Sequence, residues 1–482
     1  MNLRQHLLIV SLCVASVTAS GQPPDVVVSD SKGNTAMGTD TLFFTGAGPA
    51  SGNTGAGYQV LYSNTTGCNN SALGWRALYS NANGCANTAV GASSLIANID
   101  GSDNTAVGAG ALGANKASFN EAYGSLALQS NTTGTGNSAI GYSSQLVNTT
   151  GNDNVSHGSY SLQSNTTGSE NTAIGWSSMS GNTTGFQNTA IGIGSLANSD
   201  KGNDNVAVGA SALRINATGN YNTASGAYSL YTNSGGSSNT ASGYQALYAN
   251  TTGSSNTATG HHSLQANTTG YHHTAVGAQA LFSNTTGVNN TALGLGALYA
   301  NTTGSNNIAV GLNAGNNLTI GHDDIDIGSS GVAGESGTIR IGGTAQSATY
   351  IAGITSAHVT GSPVYISSTG RLGVLASSEK YKTAIAGMGE RSAEVHHLRP
   401  VTFHLKNDPQ GALQYGLIAE EVNEVDPNLV IRDQSGSIEG VRYDELAPLL
   451  LNEVQQLQKK LIRQERKMRA LEQRLQALSG GR

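Results

Sequence analysis

Asn87-Thr88-Ala89-Val90-Gly91-Ala92-Ser93-Ser94-Leu95-Ile96-Ala97-Asn98-Ile99-Asp100-Gly101-Ser102-Asp103 is one period of a 17-residue repeat, and Asn104-Thr105-Ala106-Val107-Gly108 opens the next. Equivalent asparagines stand at Asn53, Asn70, Asn87, Asn104, Asn120, Asn137, Asn154, Asn171, Asn188, Asn205, Asn222, Asn239 and Asn256. His273 takes one turn of the series, and Asn290 and Asn307 close it. Every step is 17 residues except Asn104 to Asn120, which is 16. The consensus is Asn-Thr-Ala-x-Gly-x-x-Ala-Leu-x-x-Asn-Thr-Thr-Gly-x-x.

Self-similarity at a fixed short period marks a solenoid or an array. Gly- and Asn-rich turn signals break each period twice, after Ala-x-Gly and at Asn-Thr-Thr-Gly, which rules out a helical repeat. Two short segments remain, one like Thr88-Ala89-Val90 and one like Ser94-Leu95-Ile96. Each is expected to be a strand, so one repeat is one coil of a β-solenoid covering residues 34–322. Ala and Leu should stack as an internal ladder, with Asn and Thr in parallel ladders of their own. Sixteen coils at about 4.8 Å make a rod of roughly 75 Å. Ala and one Leu per coil is a thin core, and three chains are expected to associate.

Composition places the boundary of this region. Charged residues are 11% of the chain and Gly is 64 of 482, against about 25% charge in ordinary globular domains. Residues 215–322 hold no Asp, Glu, Lys or Arg, whereas the C-terminal hundred residues are rich in all four. Between them, 323–376 reads as a β-rich stalk. The net charge of −6 provides no basic footprint, so no nucleic-acid partner is expected.

Arg4 and His6 lead into the apolar stretch Leu7 to Val17, followed by Val17-Thr18-Ala19. This is a signal-peptide pattern for residues 1–19 with a cut after Ala19. The mature chain is expected to be secreted or at a cell surface. No later stretch has the roughly 20 apolar residues of a membrane helix, so no transmembrane anchor is expected.

Metal and cofactor signals are absent. Asp103, Asp153 and Asp204 lie three coils apart, too far for a stacked calcium ladder. His261, His262, His272 and His273 read as surface histidines. Cys68 and Cys85 are one repeat apart, and stacking at about 4.8 Å falls within the roughly 4.4–6.8 Å that a disulfide spans. A Cys68–Cys85 bridge is expected in an oxidising compartment, against a reading in which both thiols stay reduced.

The Asn-Thr-Ala-x-Gly motif resembles the head repeats of trimeric autotransporter adhesins (YadA-like), which implies a trimeric β-roll. The C-terminal region resembles the intramolecular chaperone autoprocessing domain of phage tail spikes and endosialidases. The family pattern Ser-Asp-x-Arg-x-Lys is matched by Ser377-Ser378-Glu379-Lys380-Tyr381-Lys382, with Ser378 and Lys380 as departures. Pro400-Val401-Thr402-Phe403 and Gly416-Leu417-Ile418-Ala419-Glu420-Glu421-Val422 follow in order, with Glu420 where the family has Gln. Pro427-Asn428-Leu429-Val430 and Tyr443 complete the match.

The resemblance implies a Ser-Lys dyad, Ser377 as nucleophile and Lys382 as base, cutting between Ala376 and Ser377. A serine hydroxyl needs an adjacent base, and a lysine serves only when burial lowers its pKa. The domain is placed at 377–445. Behind it, 446–482 carries a heptad with Leu450, Leu457, Leu471 and Leu478 at d and Val454, Leu461, Met468 and Leu475 at a. Lys460–Glu465 and Lys467–Glu472 suit parallel chains in register.

The expected architecture is thus mostly β: a trimeric solenoid, then a small α+β chaperone domain ending in a parallel coiled coil. The expected function is a secreted homotrimeric fibre that engages a surface ligand or receptor and cuts off its own chaperone. The alternative is an uncleaved surface adhesin in which the C-terminal domain only trimerises the chain.

Overall fold

A computed structural model describes residues 27–41, 49–346, 348–351, 363–367, 369–406, 408–433 and 435–479. The signal-peptide reading and its cut after Ala19 lie outside them. Two compact units divide after Tyr350.

The N-terminal unit is a β-solenoid. Strand β1 (Val28–Ser29) runs antiparallel to β2 (Thr35–Met37), and covers that end of the sheet. From β3 (Thr54–Ala56) to β20 (Ile339–Ile341) each coil adds one parallel strand. Alternation fixes the faces: in β5 (Thr88–Val90) Thr88 is half-buried, Ala89 buried and Val90 exposed. Ala89 pairs with Ala106, and Ala258 with Ala275, so the inner alanines form one file. The 16-residue step leaves this register intact, with Thr105 opposite Glu121. The lost residue comes from the turn, where Asn115 and Asn120 stand closer than in other coils.

One strand per coil, not two, corrects the sequence expectation. The second segment is a turn in which Leu95 has φ 49°, Leu112 φ 53° and Leu247 φ 53°. Left-handed backbone at a non-glycine residue costs about 1–2 kcal/mol. It points the leucine inward, where Leu95, Leu112 and Leu247 have no accessible surface, a burial worth about 1.5–3 kcal/mol each. The turn still joins the next coil, since Leu95 N–H donates to Ala111 O (3.0 Å) and Ala97 N–H to Gly113 O (3.1 Å). Gly91 has φ 131°, and a Cβ there would lie 2.6 Å from the Gly108 carbonyl oxygen, so glycine is required at this corner.

The thin core also closes within one chain, so core exposure is not what calls for three. Two asparagine ladders wall it in. In the first, Asn87 Nδ2 donates to Asn70 Oδ1 (3.0 Å) and to Gly101 O (2.9 Å), while Asn104 N–H donates to Asn87 Oδ1 (3.0 Å). In the second, Asn98 Nδ2 donates to Asn81 Oδ1 (2.8 Å) and to Gly101 O (2.9 Å). Both sets are buried, and a buried amide is stable where its groups are paired; in the second ladder Asn98, Asn182 and Asn301 pair through Nδ2 while their Oδ1 atoms have no protein partner among the described residues.

His273 is a rung of the first ladder and not a surface residue. Its Nδ1 accepts from Asn290 N–H (3.2 Å) and its Nε2 meets Gly287 O (2.7 Å). These partners require the neutral ring protonated at Nε2, an imitation of the asparagine amide. Burial pushes its pKa down from 6.5 to about 4, with His272 adding repulsion. As pH falls below 6.5 the unfolded chain takes the proton first. Stability should therefore drop between pH 6.5 and 4 by about 3 kcal/mol and then level off. His273→Asn should lack this component, read as a smaller loss of unfolding midpoint between pH 7 and pH 4 than wild type shows. An equal loss in both proteins would contradict it.

At the far end Asp324 and Asp326 replace a ladder Asn and an inner Ala. Burial raises both carboxyls, Asp326 to about 6.

The C-terminal unit is small and mixed. Hairpin β21 (Tyr365–Ile366) with β22 (Leu372–Gly373) comes first. Hairpin β23 (Val401–Phe403) with β24 (Gln414–Gly416), helix α1 (Ala419–Val425), hairpin β25 (Val430–Arg432) with β26 (Ile438–Val441) and helix α2 (Tyr443–Ser479) follow. Its core is Val422, Leu429, Val430 and Val441, with Leu398, Leu417, Leu446 and Leu449 around it.

Candidate functional site

Ser377 and Lys382 are brought together by one short turn. Residues Glu379–Tyr381 form a 3-10 turn closed by Tyr381 N–H to Ser378 O and Lys382 N–H to Glu379 O, both 3.0 Å. The backbone is extended on either side, at Ser378 (ψ 145°) and Lys382 (ψ 143°). A separation of five residues across this turn places Lys382 Nζ 3.1 Å from Ser377 Oγ, within nucleophile-to-base reach.

Ser377 is not a helix cap. Ser378 holds the N-cap position and makes no capping bond through its side chain. Lys380 sits over the Tyr381 ring at 4.8 Å, a cation–π contact that turns it away from the serine. Of the two lysines in the motif, Lys382 alone reaches Ser377.

Ser377, Ala376 and Lys382 are all exposed. Nζ donates to Oγ in this contact, whereas a general base must accept the Oγ proton.

Three contacts brace the domain that carries the turn. Tyr443 Oη accepts the Leu417 N–H (2.8 Å), tying the start of α2 to the Gly-Leu-Ile-Ala segment. Arg399 grips Glu421 at both carboxylate oxygens, and this pair holds the Glu421 carboxyl below its usual range. Buried Ser392 accepts from Asn452 Nδ2 (2.7 Å) and donates to Glu453 Oε2 (3.2 Å), fixing the 389–392 loop to α2. The family resemblance picks out Tyr443 but not its partner, and nothing in the sequence announces the other two pairs. Glu420, the departure from the family glutamine, is exposed on α1 beside the paired Glu421.

Helix α2 buries no residue of its own. Leu450, Val454, Leu457, Leu461, Leu471 and Leu475 are half or more exposed. No helix among the described residues is long and apolar enough to cross a membrane, and none of their His, Cys, Asp and Glu side chains form a group of three that could hold a metal.

On the solenoid, Cys68 and Cys85 occupy adjacent coils with Cα atoms 4.6 Å apart and their sulfur atoms in contact. They stand in a file where the side chain receives the N–H of the preceding coil, as Ser102 Oγ receives Cys85 N–H (3.0 Å). Thiol titration of the unfolded mature protein should find no free thiol. Two per chain would refute the bridge.

The chain is thus a β-solenoid followed by a small α+β unit that ends in a long helix with exposed leucines. Residues 377–431 match the family described as chaperone of endosialidase, and the match begins on Ser377. No curated protein matches the chain.

Proposed function

We propose that this protein is a secreted homotrimeric fibre whose C-terminal domain directs assembly and then cuts itself off before Ser377. The observation that carries the reading is the 3.1 Å contact of Lys382 Nζ with Ser377 Oγ, inside a segment that matches the chaperone of endosialidase. Exposure of both groups in one chain supports an ordered sequence. The α2 helices gather three chains through their bare leucines, the solenoids wind side by side, and assembly encloses Lys382, favouring its neutral amine.

Lys382 then takes the Ser377 hydroxyl proton as Oγ attacks the Ala376 carbonyl carbon, within the same peptide or from a neighbouring chain. The Ala376–Ser377 C–N bond breaks and an ester to Oγ forms. The amino group leaves with a proton, which Lys382 can return. Water hydrolyses the ester, leaving an Ala376 carboxylate and a free Ser377 hydroxyl. Each molecule reacts once. A fibre that has lost its chaperone is held kinetically, because refolding lacks the template.

The same exposure of Ser377 and Lys382 supports the second reading, an uncleaved surface adhesin in which the domain only trimerises the chain. The mass of the assembled mature protein separates the two. Two polypeptides divided at Ser377 fit the first, and one intact chain the second.

A further inference from the structure

The coils fill their core from two files, and at one place both files turn polar. From Ala36 to Ala309 the inner strand position holds alanine except at Gly55 and Ser156. From Leu61 to Leu298 the inward turn position holds leucine except at Gln145 and Met179. Gln145 has φ 50°, close to Leu128 (φ 52°) and Leu162 (φ 48°) on the coils beside it. The same backbone that carries those leucines inward therefore carries its amide inward. Gln145 and Ser156 stand on successive coils, and neither has accessible surface.

The two polar residues answer each other. Gln145 Nε2 donates to Ser156 Oγ (2.8 Å) and to Ser138 O (3.2 Å). Ser144 Oγ lies 2.5 Å from Ser156 Oγ and 3.0 Å from Ser161 Oγ, and both of these serines are buried as well. Gln145 Oε1 meets no protein donor among the described residues. The apolar core is divided at this plug: one connected set of buried side chains runs from Ala36 to Ala139, and another from Leu162 to Leu318. The backbone is not divided. Ser138 still pairs with Val155, and Asn154 Nδ2 still donates to Asn137 Oδ1 (3.1 Å).

Stability in a solenoid is close to a sum over coils and the contacts between neighbours. Elsewhere the neighbour contact is apolar burial. Here it exchanges hydrogen bonds with water for hydrogen bonds within the protein, which nets little, and Oε1 loses its hydration without a partner in return. A weak link in a linear array lets the coils on its two sides open separately. We infer that the Gln145–Ser156 plug is a built-in seam at which the solenoid divides into two cooperative units that wind and unwind separately. Denaturant or load can then open the coils on one side while those on the other stay wound.

Native-state hydrogen exchange of the full chain in rising urea, read by mass on peptides, tests this. In wild type, peptides within 71–128 should open at one urea midpoint and peptides within 172–293 at another. Gln145→Leu combined with Ser156→Ala restores the residues that the other coils carry. In that variant the two midpoints should converge, and exchange within 138–161 should slow by about tenfold or more, the effect of burying one leucine. One shared midpoint in wild type overturns the seam, and so do midpoints that stay apart in the double variant. The plug can also be moved. Ser178 and Ser195 lie 3.1 Å apart through their Oγ atoms and repeat the Ser144–Ser161 pair. Adding Met179→Gln and Ala190→Ser to the repaired chain should part the midpoints again, now with the boundary between the coils of Met179 and Ala190. A chain that still opens as one unit contradicts the inference.

Discussion

Ser377→Ala should leave the mature protein as one polypeptide, where the proposed cut would separate the wild type into a fibre ending at Ala376 and a chaperone beginning at Ser377. Lys382→Ala should give the same intact chain, since the other lysine of the motif, Lys380, is engaged with Tyr381. Loss of a nucleophile or its base typically removes the factors of 10² or more that proton transfer and covalent attack supply, so cleavage should be undetectable over the time in which wild type completes it. Both variants should still assemble, because neither residue contributes to the core of Val422, Leu429, Val430 and Val441. Intact-mass measurement on assembled wild type and variants decides the matter. A wild type that stays whole after trimerisation removes the peptidase.

Truncation before Leu446 should abolish assembly. The cut removes nearly all of α2, and with it the leucine face that is half or more exposed among the described residues. It also removes Leu446 and Leu449 from the domain core and the Asn452 and Glu453 partners of Ser392. Buried Ser392 would be left unsatisfied, at about 1–3 kcal/mol, on top of the lost apolar contacts. Size-exclusion with light scattering should find aggregate or unfolded chain in place of a trimer. A soluble, folded trimer from the truncated chain would show that α2 is dispensable.

The solenoid is legible in the sequence because a ladder demands the same residue type at every rung. Asn, Ala and Gly recur in step, and the register Ala89–Ala106 follows from the period alone. What does not show is local backbone. Ser94-Leu95-Ile96 has the composition of a strand, and nothing in its residue types announces a leucine at φ 49°. His273 was misread for a different reason. Three other histidines lie close to it in sequence, yet its place in the asparagine series already assigned it to the interior. At the candidate site, Ser377 and Lys382 stand out through the family resemblance, and one turn is enough to bring them together. The Tyr443–Leu417, Arg399–Glu421 and Ser392–Asn452 contacts join distant parts of the chain with no period to reveal them.

The second asparagine ladder bears on where such a rod can be made. Many of its members, Asn250, Asn267, Asn284 and Asn301 among them, open Asn-Thr-Thr triplets, which are acceptor sequences for N-linked glycosylation. In the wound coil Asn250 Nδ2, the atom a glycan would occupy, donates to Asn233 Oδ1 (2.7 Å) and to Gly253 O (2.9 Å), and Asn250 has no accessible surface. Asn267, Asn284 and Asn301 are held in the same way. Sugar attachment and coil closure therefore compete for one nitrogen. A folded rod is closed to the transferase. A chain modified before it winds has lost a rung at every sugar, and the coils on either side cannot stack across the gap.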